Sequence, residues 1–521
     1  LSSLPLLSLI TMLPLLAGFG VAGFGVRKKA ARSLAFGSSL LTVFLACLLW
    51  CRFDNASGDF QFVEYHPWIP AIGANYYVAV DGLGLLMVML TSIVVPMSIL
   101  AAWRVERNPS LYHAMVLFLQ AGLMGTFTAL NFIHWFLFWE LSLVPAFFLV
   151  RLWGGSRRAP AAARFFIYTM AGSVAMLLSF LGVFYATGKL DFPDLAEMAR
   201  HGALNSALAA KLGWRLFGQA FTARQMTEFV FGGVLMGFAV KVPMVPFHTW
   251  LPAAYAEAPS ATTMLLTGVM SKMGLYGFLR ILLPLFPEQS RWLRTPLLVL
   301  AVVTIVFSAC AAFAQRDLKR ILAYSSINHL GYCLLGVFAL AGAGGTALLP
   351  ATEKAAALSG VLLQMFNHGL TAAMLFWLVS VLEQRSGGLR GLNDFGGLRK
   401  TMPVFCGVTG IALFSSLGLP GLNGFAGEFL IFKGSFPLAM GAVSLAALGL
   451  LVTAVFILTL MQRLFHGPLN SKWVRLPDLT RGERLLFALP VGLMFLLGLW
   501  PQLLASIVNS TVVRMVGRLP F

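Results

Sequence analysis

Lys241-Val242-Pro243-Met244-Val245-Pro246 lies inside an apolar run of residues 228 to 256, and its reading decides the fold. A charge followed by two prolines does not suit an uninterrupted membrane helix: proline removes a backbone donor and leaves carbonyls that hydrocarbon cannot satisfy. Such a break persists only where protein or internal water covers it. A second one, Gly418-Leu419-Pro420-Gly421-Leu422-Asn423-Gly424, interrupts the run 402 to 436. Broken helices in corresponding positions of two halves are the pattern of a transporter repeat.

The surrounding chain fits that pattern. Of its 521 residues 59% are hydrophobic and 11% charged, and the mean hydropathy is +0.83, outside the range of soluble domains. Dividing it into runs of about 20 apolar residues predicts an all-α polytopic membrane protein of about fourteen transmembrane helices, the seventh and twelfth broken. Residues 1–521 form a single membrane domain, with helices one to three in 1–103, one five-helix repeat in 111–284, a second in 297–463, and helix fourteen at 484–506. Glu140 to His329 is 189 residues and Lys241 to Glu428 is 187, so one offset maps the first repeat onto the second. Five spans separate the members of each pair; five is odd, so the repeats are predicted to be inverted.

Loops after odd-numbered spans hold 22 of the 37 lysines and arginines and the opposite side 12, with Lys241, Lys272 and Lys433 inside spans. By the positive-inside rule both termini face away from the cytoplasm, and a bacterial inner membrane is expected. The first apolar stretch, Leu4 to Val26, is too long for a signal-peptide core and ends in Arg27-Lys28-Lys29, the reverse of a signal's charge order; it reads as a retained helix. The net charge of +18 is spread over segment ends with no basic domain, which argues for topology and against nucleic acid. From Lys189 to Thr227, Leu195, Met198, Leu204, Leu208, Leu212 and Trp214 stand among charges, which suits either a helix on the membrane surface or an ordinary loop.

Cys47, Cys51, Cys310, Cys333 and Cys406 form no CxxC pair and no spacing suited to zinc or an iron-sulfur cluster, and the glycines form no phosphate loop. No metal site, redox centre or nucleotide site is read in the chain.

Chemistry is concentrated in six ionisable side chains near the middle of apolar segments: Glu140, Lys241, Lys272, His329, His368 and Glu428. A charge at mid-bilayer depth costs about 2.5 to 3.5 kcal/mol on insertion scales. The six are expected to face one another and internal water as a polar line able to conduct protons. Glu140 and Lys241 can hold each other's charge, and their separation would favour proton release from the lysine. Lys272, in Met270-Ser271-Lys272-Met273-Gly274, has small neighbours that admit water and suits a central relay. His329, His368 and Glu428 would continue the line. Static salt bridges are the alternative for the lysines and glutamates, but buried ion pairs are weak stabilisers. His329 and His368 equally suit helix-to-helix hydrogen bonds. His248 reads as structural, His134 and Asp81 as interface residues, and Lys433 as able to snorkel.

Lys241-Val-Pro-Met-Val-Pro-Phe-His-Thr-Trp-Leu-Pro252, Glu257-Ala-Pro259 and Ser271-Lys-Met-Gly274 together resemble the antiporter-like membrane subunits of respiratory complex I. Phe138-Trp-Glu-Leu-Ser-Leu-Val-Pro145, Asp317-Leu-Lys-Arg-Ile-Leu-Ala-Tyr-Ser-Ser-Ile-Asn-His-Leu-Gly-Tyr332 and Asn423-Gly-Phe-Ala-Gly-Glu-Phe429 extend the match. A glutamate at Glu428 is similar to the subunit M, or chain 4, type, whereas subunits L and N usually carry lysine there. The resemblance implies a fourteen-helix fold, a proton half-channel in each repeat, and relay roles for the six residues. It also implies neighbouring subunits L and N, lipid contacts, and FMN, iron-sulfur clusters and quinone in partner subunits with no cofactor in this chain. One motif departs: where the family usually has Asp-Ala-His, this chain has Ala253-Ala254-Tyr255. The expected function is proton translocation in a redox-driven NADH:quinone oxidoreductase, without independent catalysis. The alternatives are a transport subunit of a multisubunit sodium/proton antiporter or membrane-bound hydrogenase, and a purely structural scaffold.

Overall fold

A computed structural model describes residues 4–23, 28–212, 215–216, 219–220, 222–341 and 351–519. Helices α1 (Leu6–Gly23) and α2 (Lys28–Arg52) lead into a hairpin of β1 (Gln61–Ile69) and β2 (Ala74–Val80). Then come α3 (Gly82–Ala101), α4 (Pro109–Thr128), α5 (Phe132–Trp153) and α6 (Arg158–Thr187). Short helices α7 (Phe192–Arg200) and α8 (Ala203–Lys211) precede α9 (Ala223–Lys241) and α10 (Trp250–Glu257). The rest runs α11 (Ser260–Leu285), then α12 (Pro287–Trp292), α13 (Arg294–Ala314), α14 (Leu318–Leu340) and α15 (Ala351–Ser386). It ends with α16 (Pro403–Ser416), α17 (Asn423–Ser435), α18 (Met440–Phe465), α19 (Arg481–Leu499) and α20 (Gln502–Arg518).

Among the described residues twelve continuous helices are long and apolar enough to cross a membrane. The segments expected as the seventh and twelfth spans are each two helices, α9 with α10 and α16 with α17. The expected covering of the breaks is present. Val245 N donates to Thr304 Oγ1 at 3.1 Å and Trp250 Nε1 to Val240 O at 3.0 Å. At the second break, Asn367 Nδ2 donates to Asn423 O at 2.7 Å and Asn423 Nδ2 to Asn367 O at 3.2 Å.

Each set of loops is bonded to itself. After odd-numbered spans, Arg32 Nη2 donates to Val105 O, Arg107 Nη1 to Leu152 O, Arg157 N to Glu257 Oε2, and Arg390 pairs with Asp317. On the other face Asn75 and Asn131 both donate to Asp191, Asn205 donates to Glu288, and Gly82 N donates to Thr511 Oγ1. The first set is the face with the basic excess.

Several boundaries differ from expectation. The fourteenth helix stops at Leu499 rather than 506, because Trp500, held at φ −131° before Pro501, cannot stay helical. α20 follows and packs on α3 and α15. The hairpin, absent from an all-α reading, joins Tyr65 to Tyr77 in antiparallel register. Gly73 at φ 63° turns it, and Glu64 Oε1 accepts from Leu7 N at 2.9 Å, capping α1. The stretch from Lys189 to Thr227 holds α7 and α8, parted by Gly202 at φ 70°, a short antiparallel pair at Arg215–Leu216 and Gln219–Ala220, and the start of α9; Trp214, residues 24–26 of the first span and Arg27 lie outside the described residues.

His134 and Asp81 stand at helix ends and are buried within the protein. Asp81 caps α3 by accepting from Gly84 N and sits 2.5 Å from Arg280 Nη2. His134 packs on Tyr76 of the hairpin. An uncompensated carboxylate there would be costly, and Arg280 matches the charge of Asp81.

Candidate functional site

A polar line runs through α11, α15, α14 and α17. Lys272 starts from α11, which is buried along nearly its whole length and contains a wider π-helical turn at Leu266–Met270. Such a turn shifts backbone pairing, Ser271 N bonding Leu266 O, and turns of this kind are common at functional sites. Lys272 Nζ donates to Thr267 O at 2.5 Å, lies 3.4 Å from Ser271 Oγ, and reaches His368 Nδ1 of α15 at 2.9 Å. An ammonium at that distance donates to the ring nitrogen, which fixes His368 as an acceptor there. Among the described residues no carboxylate stands among its hydrogen-bond partners.

From His368 the line passes to His329 of α14, with ring centroids 5.2 Å apart and planes at 37°. His329 Nδ1 is 2.7 Å from Glu428 Oε1, and its Nε2 is 2.9 Å from Ser416 Oγ. A neutral imidazole protonated on Nδ1 donates to the carboxylate and accepts from the serine. Gln364 Nε2 also donates to Glu428 Oε1 at 2.9 Å. Sequence left the two histidines unordered; the structure puts His368 beside Lys272 and His329 beside Glu428.

Close packing sets this geometry. Gly427 of α17 lies against α15 so tightly that a Cβ on it would fall 2.7 Å from Gln364 N, and one on Gly360 would fall 2.4 Å from Ile431 N. Small residues let helix backbones approach in this way. Gly418, at φ 79° in the second break, would place a Cβ 3.0 Å from Glu428 Oε2, so the unwound segment also borders the carboxylate.

The expected Glu140–Lys241 pair is open. Lys241 ends α9 and is buried, its Nζ 4.8 Å from the Trp139 ring centroid. Glu140, next to Trp139 on α5, acts on it electrostatically, yet neither Lys241 Nζ nor Glu140 Oε1 has a hydrogen-bond partner among the described residues. The break beyond Lys241 rests on α11: a Cβ on Gly274 would meet Val242 Cγ2 at 2.5 Å. Lys241 is thereby held beside the helix that carries Lys272. His248, near the break, packs against Phe307, and Lys433 is exposed.

Residues 129–456, which hold all six ionisable groups, match the family described as NADH:quinone oxidoreductase/Mrp antiporter, transmembrane. The chain belongs to this family. It is 37% identical over 517 residues to the F(420)H(2) dehydrogenase subunit M of Methanosarcina mazei, covering 98% of this chain and 97% of that one. It is 35% identical over 518 residues to the NADH-quinone oxidoreductase subunit M of Rhodobacter capsulatus, covering 98% and 96%. Among solved structures, a chain of respiratory complex I from Thermus thermophilus with bound NADH superposes with a TM-score of 0.82 at 26% identity, covering 99% of this chain and 100% of that chain.

Sequence reading missed Gln364, Asn367 and Thr371. With His368 they stand on α15 at spacings of three, one and three residues, one polar helical face in an apolar segment. That periodicity was available as a signal. Ser416 and Thr267 carried none, since a lone hydroxyl in a membrane helix commonly bonds its own backbone.

Proposed function

We propose that this chain is the M-type proton-translocating subunit of a redox-driven quinone oxidoreductase, with Lys272, His368, His329 and Glu428 as its relay. The observation that carries the reading is the buried succession of contacts from Lys272 Nζ to His368 Nδ1 at 2.9 Å and from His329 Nδ1 to Glu428 Oε1 at 2.7 Å. A proton passes from the Lys272 ammonium to His368 Nδ1, while His368 releases one from Nε2. The step to His329 is made through one water or a ring rotation. His329 then delivers a proton from Nδ1 to Glu428, and its tautomer is restored through Ser416.

Lys241 and Glu140 set when this happens. With the pair open, the unbalanced Lys241 charge disfavours a second ammonium at Lys272 and drives its proton toward His368. With the pair closed, Lys272 recharges. The two breaks place this switch and the terminal carboxylate in the repeats 111–284 and 297–463, which we read as inverted halves of one transport unit.

Nothing in the relay supplies energy, so FMN, iron-sulfur clusters and quinone are assigned to partner subunits, with antiporter-like subunits L and N as membrane neighbours. The two relatives above carry different electron donors in their names at similar identity, which fits a chain that does not choose the donor. We place both termini on the periplasmic side of a bacterial inner membrane. Because the family description also covers Mrp antiporters, sodium/proton exchange is the second reading.

Lys272→Met in the assembled complex tests the reading. Proton pumping in sealed vesicles is expected to fall at least about tenfold, equivalent to ~1.4 kcal/mol on the transfer barrier, with assembly intact. Unchanged pumping rejects the relay. Loss of sodium-dependent exchange without loss of redox-driven pumping selects the antiporter.

A further inference from the structure

The relay needs a route by which protons reach Lys272, and α11 carries one. Ser260, Thr263, Thr267 and Ser271 recur at spacings of three, four and four residues, so their hydroxyls share one side of the helix. At 1.5 Å per residue, Ser260 to Ser271 covers roughly 16 Å, about half of a ~30 Å hydrocarbon layer. The lower end lies on the basic-loop face and the upper end adjoins Lys272.

At the lower end Ser260 Oγ donates to Glu383 Oε2 at 2.8 Å, and Lys319 Nζ is 3.1 Å from Glu383 Oε1. Glu257 and Arg390 join them around a cavity of about 440 Å³ among the loops of that face. Arg390 Nε is 2.6 Å from Asp317 Oδ2, so the carboxylates Glu257, Asp317 and Glu383 outnumber the cations Lys319 and Arg390. Such a mouth collects protons despite the basic excess of the surrounding loops.

Higher up, Thr263 Oγ1 donates to Tyr255 O at 3.2 Å, and the buried Tyr255 hydroxyl faces the hydroxyls of Thr267 and Ser271. Thr267 Oγ1 is 2.9 Å from Ser326 Oγ. Lys272 Nζ is 3.4 Å from Ser271 Oγ. Neighbouring hydroxyls at three- and four-residue spacing lie about 5 to 6 Å apart, a gap that one water spans.

We propose that this hydroxyl ladder, from the Glu383 mouth through Thr263, Tyr255 and Thr267 to Ser271, is the proton-uptake path to Lys272. The inference rests on the relay reading. One proton enters from water at the mouth; each hydroxyl accepts a proton on its oxygen and passes its own forward; the neutral Lys272 amine gains one. Between transfers the hydroxyls turn back to helix carbonyls, as Ser271 Oγ does now to Thr267 O at 2.9 Å.

The test uses the whole complex in sealed vesicles with the basic-loop face outward and the five native cysteines replaced. Thr263→Cys and Thr267→Cys are expected to react with a small membrane-impermeant methanethiosulfonate added outside, while Leu265→Cys and Val269→Cys, on the far side of the same helix, do not. Thr263→Val combined with Tyr255→Phe is expected to slow pumping at least threefold, and Thr263→Ser to restore it in the presence of Tyr255. Unreactive ladder cysteines, or full pumping by the Val/Phe pair, overturns the path. Failure of the relay itself shows separately, as normal pumping by Lys272→Met.

Discussion

Lys272 and His368 meet at 2.9 Å, amine to ring nitrogen, deep inside a membrane bundle. Two bases at this separation inside apolar protein form a transfer pair, since one proton can be held between them and a charge on each would repel. His368→Gln keeps an acceptor for Lys272 but removes the second ring nitrogen. Pumping is expected to be lost while the melting temperature of the complex stays close to wild type. His368→Phe removes the acceptor too and is expected to destabilise by about 1 to 3 kcal/mol, read as a lower melting temperature.

Lys272→Arg separates charge from proton release. A guanidinium keeps its charge at any physiological pH. The variant is expected to assemble yet pump no better than Lys272→Met in vesicle acidification assays; substantial pumping would mean that only fixed charge matters at this position.

Glu428 ends the line with His329 and Gln364 both on Oε1. Glu428→Gln retains a carbonyl acceptor there and cannot take up a proton. Assembly is expected to be normal and pumping to fall at least about tenfold, ~1.4 kcal/mol. Measuring both on the same preparation distinguishes a transfer role from a packing role.

Gly427 and Gly360 hold α17 against α15. Either glycine to alanine forces overpacking at backbone contact, expected to cost about 1 to 3 kcal/mol. The measurement is thermal melting, with pumping falling in step because His329 and Glu428 are carried on separate helices.

Asp81 and Arg280 form a buried pair at 2.5 Å on the face opposite the basic loops. Asp81→Leu strands the guanidinium and is expected to destabilise by about 3 to 5 kcal/mol, whereas the double variant Asp81→Leu with Arg280→Met recovers most of the loss. A double variant as unstable as the single one would show that the pair does more than neutralise itself.

The sequence by itself determined the membrane class, the two broken helices and the placing of six ionisable groups within apolar segments, because hydropathy, proline chemistry and the expense of buried charge act locally along the chain. The departure at Trp500-Pro501 was equally local and readable. Only the tertiary structure decided that His368 precedes His329, that Glu140 and Lys241 stand open, and that Gln364 and Ser416 complete the site. Those relations depend on how closely backbones from distant parts of the chain approach, as at Gly427 and Gly360, and on which neighbour a side chain then meets. Spacing along a helix assigns a residue to a face; the partner across that face is set by packing between helices.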